Sequence, residues 1–409
     1  SARSLDGLSG RVEVPKAEGK GGVRVADTFH FEFSDGTPFV PVGTTAYAWT
    51  HQDESLQLQT LSTLSESPFN KIRMCIFPKA YTYNDNEPAL FPFERSGDDW
   101  DHTRFDIEFF RHLERRIDDL AGIGVQADVI LFHPYDRWGF AEMGPAVDRR
   151  YLTYLVRRLA GHANVWWSVA NEYDFMTTKT LEEWQELAEV VVREDHAGHL
   201  LSIHNGTAFF DYSAAWATHC SVQKTDLYRT TENVTEWRSR WQKPVVVDEF
   251  GYEGDIEYAW GNISGEETVR RFWEATLRGG YASHGETYLN ADEVLWWSKG
   301  GALQGSSPAR LDFLKALVEE SPVGHLEPFP SGEYPSAGIP GVYELRYFGV
   351  HRPSFHDIRI PPGSTVDIDV IDTWSMTIDT VGEGLQENGE AIRVSLPAKP
   401  YIAVRVRGV

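Results

Sequence analysis

The sequence predicts an α/β fold: a (β/α)8 barrel followed by a small C-terminal antiparallel β domain. Three observations predict it. From Phe39 onward short β-rich runs alternate with amphipathic helical runs, the pattern of βα units around a parallel sheet. Eight candidate strands can be placed, the number that closes a barrel. After about Ser321 the pattern changes to alternating strands punctuated by Pro and Gly. The 409 residues divide into a lead-in (1–38), the barrel (39–325) and a β-sandwich (326–409). A doubly wound open sheet is the alternative arrangement.

The lead-in alternates in strand fashion from Val23 to Phe33 and then offers a turn at Ser34-Asp35-Gly36-Thr37, which predicts a hairpin at the barrel base. The eight strands fall at 39–45, 71–77, 125–132, 165–171, 200–204, 220–223, 244–250 and 280–286. Between them Phe105, Phe109, Leu113 and Ile117 recur at helical spacing before Gly122, a stop signal. Thr180 with Glu183 forms a capping box, and Pro308 after Ser307 starts a helix reaching Glu320. The C-terminal strands are expected at 342–348, 364–371, 375–380, 391–396 and 401–406.

Composition narrows the partners. A formal charge of -23 argues against nucleic acid and other polyanions, which need clustered Lys and Arg, and favours a neutral ligand. No apolar run approaches the roughly 20 residues of a membrane span, so the chain reads as soluble, with the cytoplasm favoured over secretion. Aromatic residues make up 13%, including 14 Trp, which suits stacking on sugar faces as well as core packing. The two cysteines, Cys75 and Cys220, each lie in an expected strand and read as buried thiols.

Two strand ends carry chemistry. Val165-Trp166-Trp167-Ser168-Val169-Ala170-Asn171-Glu172 and Pro244-Val245-Val246-Val247-Asp248-Glu249 each place a Glu at the carboxyl end of an apolar strand, where barrel active sites are built. Opposed carboxylates are what glycoside cleavage requires, one to protonate the leaving oxygen and one to meet the cationic sugar carbon. A separation of about 5–5.5 Å would mean retention of configuration. The acid must be raised in pKa, by apolar surroundings for which Trp166, Trp167 and Phe250 are candidates and by the charge of Glu249.

Asn171-Glu172 after one apolar strand, with Glu249 ending another, resembles the clan A glycoside hydrolases. Gly43-Thr44-Thr45-Ala46, Phe69-Asn70-Lys71-Ile72-Arg73 and Ser283-His284-Gly285-Glu286-Thr287-Tyr288 are similar to the apiosidase-like group within them. The resemblance implies a (β/α)8 fold and a retaining mechanism with Glu172 as acid/base and Glu249 as nucleophile. It also implies that Asn171 holds the 2-hydroxyl of the sugar and that Arg73 hydrogen-bonds Glu249. The long insert between Tyr288 and Trp296 departs from the group's pattern.

Further lining candidates are Tyr47, His51, Tyr135 and Glu286, with Trp296 or Trp297 as a stacking floor. His133, His204 and His284 fall at or near strand ends and are read as sugar contacts rather than metal ligands, because none belongs to a His-x-His pair. No cofactor is expected. Loops 252–266 and 288–305 follow strands at the active face and exceed the about 12–15 residues beyond which loops are usually functional, which predicts lids over a blind pocket and an exo-acting enzyme. A carbohydrate-binding barrel without turnover and a metal-dependent barrel hydrolase are the rival readings. Two opposed carboxylates argue against the first.

Overall fold

The computed structural model describes residues 19–409; the earliest part of the lead-in lies outside the described residues. Eight parallel strands form one sheet: Val42–Thr45, Lys71–Cys75, Gln126–Ile130, Val165–Ser168, Leu201–Ser202, Cys220–Gln223, Val245–Glu249 and Tyr281–His284. In space they run five-four-three-two-one-eight-seven-six, and a parallel bridge between His204 and Ser221 joins the two ends. The sheet is therefore a barrel, and the open doubly wound arrangement is excluded. Each strand lies within its expected window, though the fifth is only two residues long.

Helices cover the outside as anticipated: Glu54–Ser65, Ile107–Gly122, Pro145–Leu159, Leu181–Glu194, Val234–Trp241, Gly265–Leu277 and Ser307–Glu319. Asp106 caps the second of these through the amides of Glu108 and Phe109, so Phe105 belongs to the preceding strand Asp99–Phe105 rather than to the helix. The Thr180–Glu183 capping box is present in both directions. The connection from the fifth to the sixth barrel strand carries no α-helix. There Tyr212, fully buried, donates its hydroxyl to the carbonyl of Ile203 at 3.0 Å and fills part of the missing layer.

Val23–Ala26 and His30–Phe33 form the lead-in hairpin, and Pro38–Phe39 adds a third strand beyond the 34–37 turn. Asp27 and Thr28, both at positive φ, make the tight reversal between the first two. Phe31 closes the barrel base, its ring 5.2 Å from Trp166 and 5.4 Å from Tyr281. Past the last helix, Ser336–Ile339, Tyr343–Tyr347, Thr365–Asp372, Thr377–Gln386 and Ile402–Gly408 make an antiparallel sheet, faced by the pair Phe355–Ile358 and Ile392–Ser395. Phe348, Ile358, Val366, Ile368 and Val394 fill the space between the two sheets. Strands 336–339 and 355–358 were not evident from alternation alone.

The barrel interior contains charge as well as hydrocarbon. Lys71 Nζ bonds Asp128 Oδ2 and Asp248 Oδ1, each at 2.7 Å, and Arg73 reaches the other Asp248 oxygen at 3.0 Å. Ser221 and Ser283 donate to Asp248 at 2.6 and 2.7 Å. Burial would raise the pKa of Asp248, but Lys71 and Arg73 outweigh it and hold the carboxyl far below its usual range. Gly43 makes room for this layer: a Cβ there would stand 2.2 Å from Ser283 Oγ and 3.2 Å from Lys71 Cε. Two cations facing two anions leave no net charge in the layer. Lys71→Met should therefore strand Asp128, leave Asp248 with Arg73 alone as its cation, and cost about 3–5 kcal/mol of stability, measured by urea unfolding; a loss below 1 kcal/mol would mean the layer is not a unit.

Candidate active site

The fourth barrel strand ends in an irregular turn. Asn171 N–H still donates to the carbonyl of Phe132 just past the third strand, and Tyr173 N–H to that of His204 near the fifth, so the backbone at Glu172 is pinned from both sides. Between these anchors Glu172 takes a left-handed conformation, φ 50° and ψ 52°. That conformation costs an L-residue energy and persists only where the surroundings fix it. On the seventh strand Asp248 enters the charged layer and Glu249, the next residue, stands at the mouth.

Glu172 and Glu249 line one cavity of about 470 Å³ at the carboxyl ends of the strands. They are only 6% and 7% exposed, yet their environments differ. Glu249 accepts a hydrogen bond from Tyr47 and lies 3.2 Å from His204 Nε2. The Nδ1 side of that imidazole faces Arg73 at 3.3 Å and Ser221 Oγ at 2.9 Å. Arginine has no acceptor, so Nδ1 is the accepting nitrogen and Nε2 carries the proton toward Glu249. Burial would raise the pKa of Glu249, but the hydrogen bond from His204, the Arg73 charge and the Tyr47 hydroxyl together hold it below the ordinary range.

Glu172 is pushed the other way, first by burial and then by the charge of Glu249. Tyr135 donates to Oε2, as does Asn171 Nδ2 at 3.1 Å, and Gln223 Nε2 donates to Oε1 at 3.1 Å. The pair is split: the Glu172 carboxyl is held above its ordinary range and the Glu249 carboxyl below it.

Tyr47, Tyr135, Trp297 and the two Glu all stand in the cavity wall. Arg73 and Asn171 lie one layer behind it. Arg73 does not hydrogen-bond Glu249; its fork is taken by Asn171 Oδ1 at 2.8 Å, Ser221 Oγ at 2.9 Å and Asp248, and it acts on Glu249 through charge and through His204. Asn171 is only 1% exposed, and its side chain links Arg73 and Tyr47 to Glu172. His204 likewise supports Glu249 from behind.

Other candidates lie elsewhere. His51 stacks 6.1 Å from Phe109, and His133 donates from Nε2 to the carbonyl of Phe77 at 3.1 Å. Trp296 bonds Thr44 Oγ1 at 2.8 Å below the floor, leaving Trp297 as the ring of the pair that reaches the cavity. His284 and Glu286 meet Glu253 behind Tyr252. The indoles of Trp166 and Trp167 bond Gln126 and Asp195 at the base and outside, and Phe250 packs on Phe272, so none supplies the apolar wall of Glu172. Cys75 and Cys220 are buried free thiols.

Several wall residues were missed: Lys79, Tyr81, Gln223, Thr225, Tyr252 and Trp260. Lys79 is the most consequential. Its ammonium sits 3.7 Å from the Tyr47 ring centre, 4.3 Å from Tyr135 and 4.6 Å from Trp297, and makes no ion pair among the described residues. Burial lowers its pKa against the pull of the nearby anions, Glu172 and Glu249 among them. A lysine four residues past strand two, followed by Tyr81 and Tyr83, was the signal available in the sequence. A second cavity, about 460 Å³ around Val40, Pro41 and Tyr281, lies at the barrel base and contains neither carboxylate of the pair.

A parallel barrel with a buried, acidity-split pair of glutamates at its carboxyl face defines a glycoside hydrolase of the clan A type. The sequence agrees: the apiosidase-like catalytic domain matches residues 26–322, and the chain belongs to that family. A domain of unknown function matches residues 333–407. A Bacteroides vulgatus protein provisionally described as a glycoside hydrolase is 36% identical, superposes with a TM-score of 0.91, and the match covers 97% of this chain and 84% of that one. A family 5 glycoside hydrolase from the same species (16% identity, TM-score 0.74, 95% and 93% covered) and an arabinopyranosidase from Geobacillus stearothermophilus (12%, 0.56, 90% and 97%) share the fold. No match is found among curated protein sequences. Among the described residues no helix is long and apolar enough to cross a membrane.

His204→Ala removes a donor facing Glu249, so the Glu249 carboxyl should titrate at higher pH, nearer the about 4.3 of an unperturbed Glu. Carbon-13 NMR of labelled Glu reads this directly; an unmoved titration would show that His204 does not hold the charge.

Proposed function

We propose that the enzyme is an exo-acting retaining glycosidase releasing one terminal sugar from a neutral glycoside by double displacement. The observation that carries this reading is the opposite shift of two carboxyls facing one small cavity. In the first step Glu172 gives its proton to the leaving oxygen while the Glu249 carboxylate attacks the anomeric carbon. In the second, Glu172, now ionised, takes a proton from water, which displaces Glu249 from the sugar. As the glycosyl–enzyme forms, the negative charge of Glu249 disappears, which lowers the pKa of Glu172 and suits its change from acid to base.

The exo reading rests on the loops. Tyr252 and Trp260 from one, and Trp297 from the other, stand in the cavity wall, with Trp260 and Trp297 5.0 Å apart. These rings offer flat apolar faces to a sugar. Lys79 and Gln223 supply donors for its hydroxyls.

Glu249→Ala and Glu172→Ala should each lower turnover by orders of magnitude with the fold intact, and azide should rescue the former with inverted product stereochemistry, read by proton NMR. Activity on poor leaving groups should be bell-shaped in pH. It falls on the acid side as Glu249 takes a proton, below the usual carboxylate range, and on the alkaline side as Glu172 loses one, above that range. Lys79→Met should reduce kcat/KM by about 10- to 100-fold, the worth of one charged hydrogen bond, on whichever of the galactosides, arabinofuranosides or apiosides proves to be the substrate. Sizing early products from a reduced oligosaccharide tests the exo reading; internal cuts would overturn it while leaving both glutamate assignments standing.

A further inference from the structure

Behind the catalytic cavity the chain builds a second polar cluster that the proposed chemistry does not use. Glu253–Gly254 and Glu286–Thr287 pair as short parallel strands with Glu253 in register with Glu286. His284 precedes Glu286 by two, so both side chains fall on one face. Ligand atoms of Glu253, His284 and Glu286 all lie within 4.8 Å of one another, and all three residues are at most 1% exposed. Two carboxyls side by side in a dry site repel one another when both are ionised, and the repulsion is relieved by a proton on one of them or by a cation between them; burial already pushes Glu286 up to about 7.

Hydrogen bonds hold the three groups but leave one direction open. Glu253 Oε1 accepts from the amide and hydroxyl of Ser306 at 2.7 and 3.1 Å and from Tyr288 at 3.3 Å, and Oε2 accepts from Ser307 N at 3.1 Å. Glu286 accepts from the amides of Gln304 and Gly305. The Oε2 atoms of both glutamates converge on Gly305, where a Cβ would lie 2.6 Å from each. Each of these two oxygens carries a single hydrogen bond, so each keeps a lone pair.

The histidine completes the set. Its Nδ1 lies 3.2 Å from Thr44 Oγ1, while Nε2, fully buried, has no hydrogen-bond partner among the described residues. A proton on Nε2 would be unsatisfied. With the proton on Nδ1, donated to Thr44, the Nε2 lone pair is presented to the two carboxylates, the arrangement in which metal-bound histidines are usually held.

We propose that Glu253, His284 and Glu286 form a binding site for one divalent transition cation, of the Zn2+ or Mn2+ class. One imidazole with two carboxylates is a mixed nitrogen and oxygen set, which suits these ions better than Ca2+ with its all-oxygen preference. Ligand bonds of about 2.0–2.2 Å require the three side chains to draw together from their present spacing. The cation joins the loop after strand seven, the end of strand eight and the start of helix Ser307–Glu319. Its role is structural: Tyr252 of the cavity wall is next to Glu253 and packs where a Cβ on Gly285 would stand, 2.1 Å from its ring.

The test uses the whole chain, stripped with chelator and dialysed. Titrated with Zn2+, Mn2+ and, as control, Ca2+, it should take up about one Zn2+ or Mn2+ by calorimetry and elemental analysis, with Tm rising by several degrees. Co2+ should give visible d–d bands in the wild-type protein, a readout needing no variant. His284→Gln and Glu286→Gln, each checked for fold by circular dichroism, should lose the uptake and the Tm rise. No uptake of Zn2+, Mn2+ or Co2+ by the stripped wild-type chain would overturn the proposal, as would undiminished uptake by a folded His284→Gln protein.

Discussion

The active face depends on the ion layer across the barrel, in which Lys71 and Arg73 meet Asp128 and Asp248. Charges this deep are tolerated only as a matched set with their remaining donors satisfied, as Ser221 and Ser283 do for Asp248. The layer connects strands two, three, six, seven and eight from the inside, and Gly43 on strand one clears the path for the Lys71 stem. It also sets the positions of the groups immediately above it. Arg73, held by Asp248, determines which nitrogen of His204 accepts, and so which nitrogen donates to Glu249. The ionisation of Glu249 is thus arranged one full layer below the cavity.

The two glutamates are joined as well as opposed. Asn171 receives Arg73 and Tyr47 on its oxygen and gives its amide to Glu172, while Tyr47 also reaches Glu249. One asparagine therefore fixes the relative position of both carboxyls. That accounts for an Asn directly before Glu172. Lys79 adds the remaining positive charge on the cavity side, within a box of rings that keeps it from a carboxylate partner.

Much of this was legible in the sequence because strand and helix periods are local. The eight strands, the capping box at Thr180 and the placement of Glu172 and Glu249 follow from runs of a few residues. What was not legible depended on which way a side chain turns beyond a strand end. His51, His133 and Trp296 fall near strand ends like true wall residues, but each points into packing rather than the mouth. The resemblance to clan A implies a hydrogen bond from Arg73 to Glu249. In fact its guanidinium is engaged by Asp248 and Asn171, a choice settled by strands distant in sequence. His284 belongs to no His-x-His pair, and its nearness to Glu253 is set by the pairing of two short strands far apart in sequence. Lys79 and Gln223 carried no periodic signal at all.

The left-handed backbone at Glu172 sets stability against activity at a single position. An L-residue there costs about 1–2 kcal/mol that glycine would not. Burying a second carboxyl beside Glu249 adds to the cost. The Glu172 position is accordingly among the least favourable for folding. Random selection for heat resistance in this protein would be drawn to residue 172, and the sturdiest descendants would be those that had given up its carboxyl.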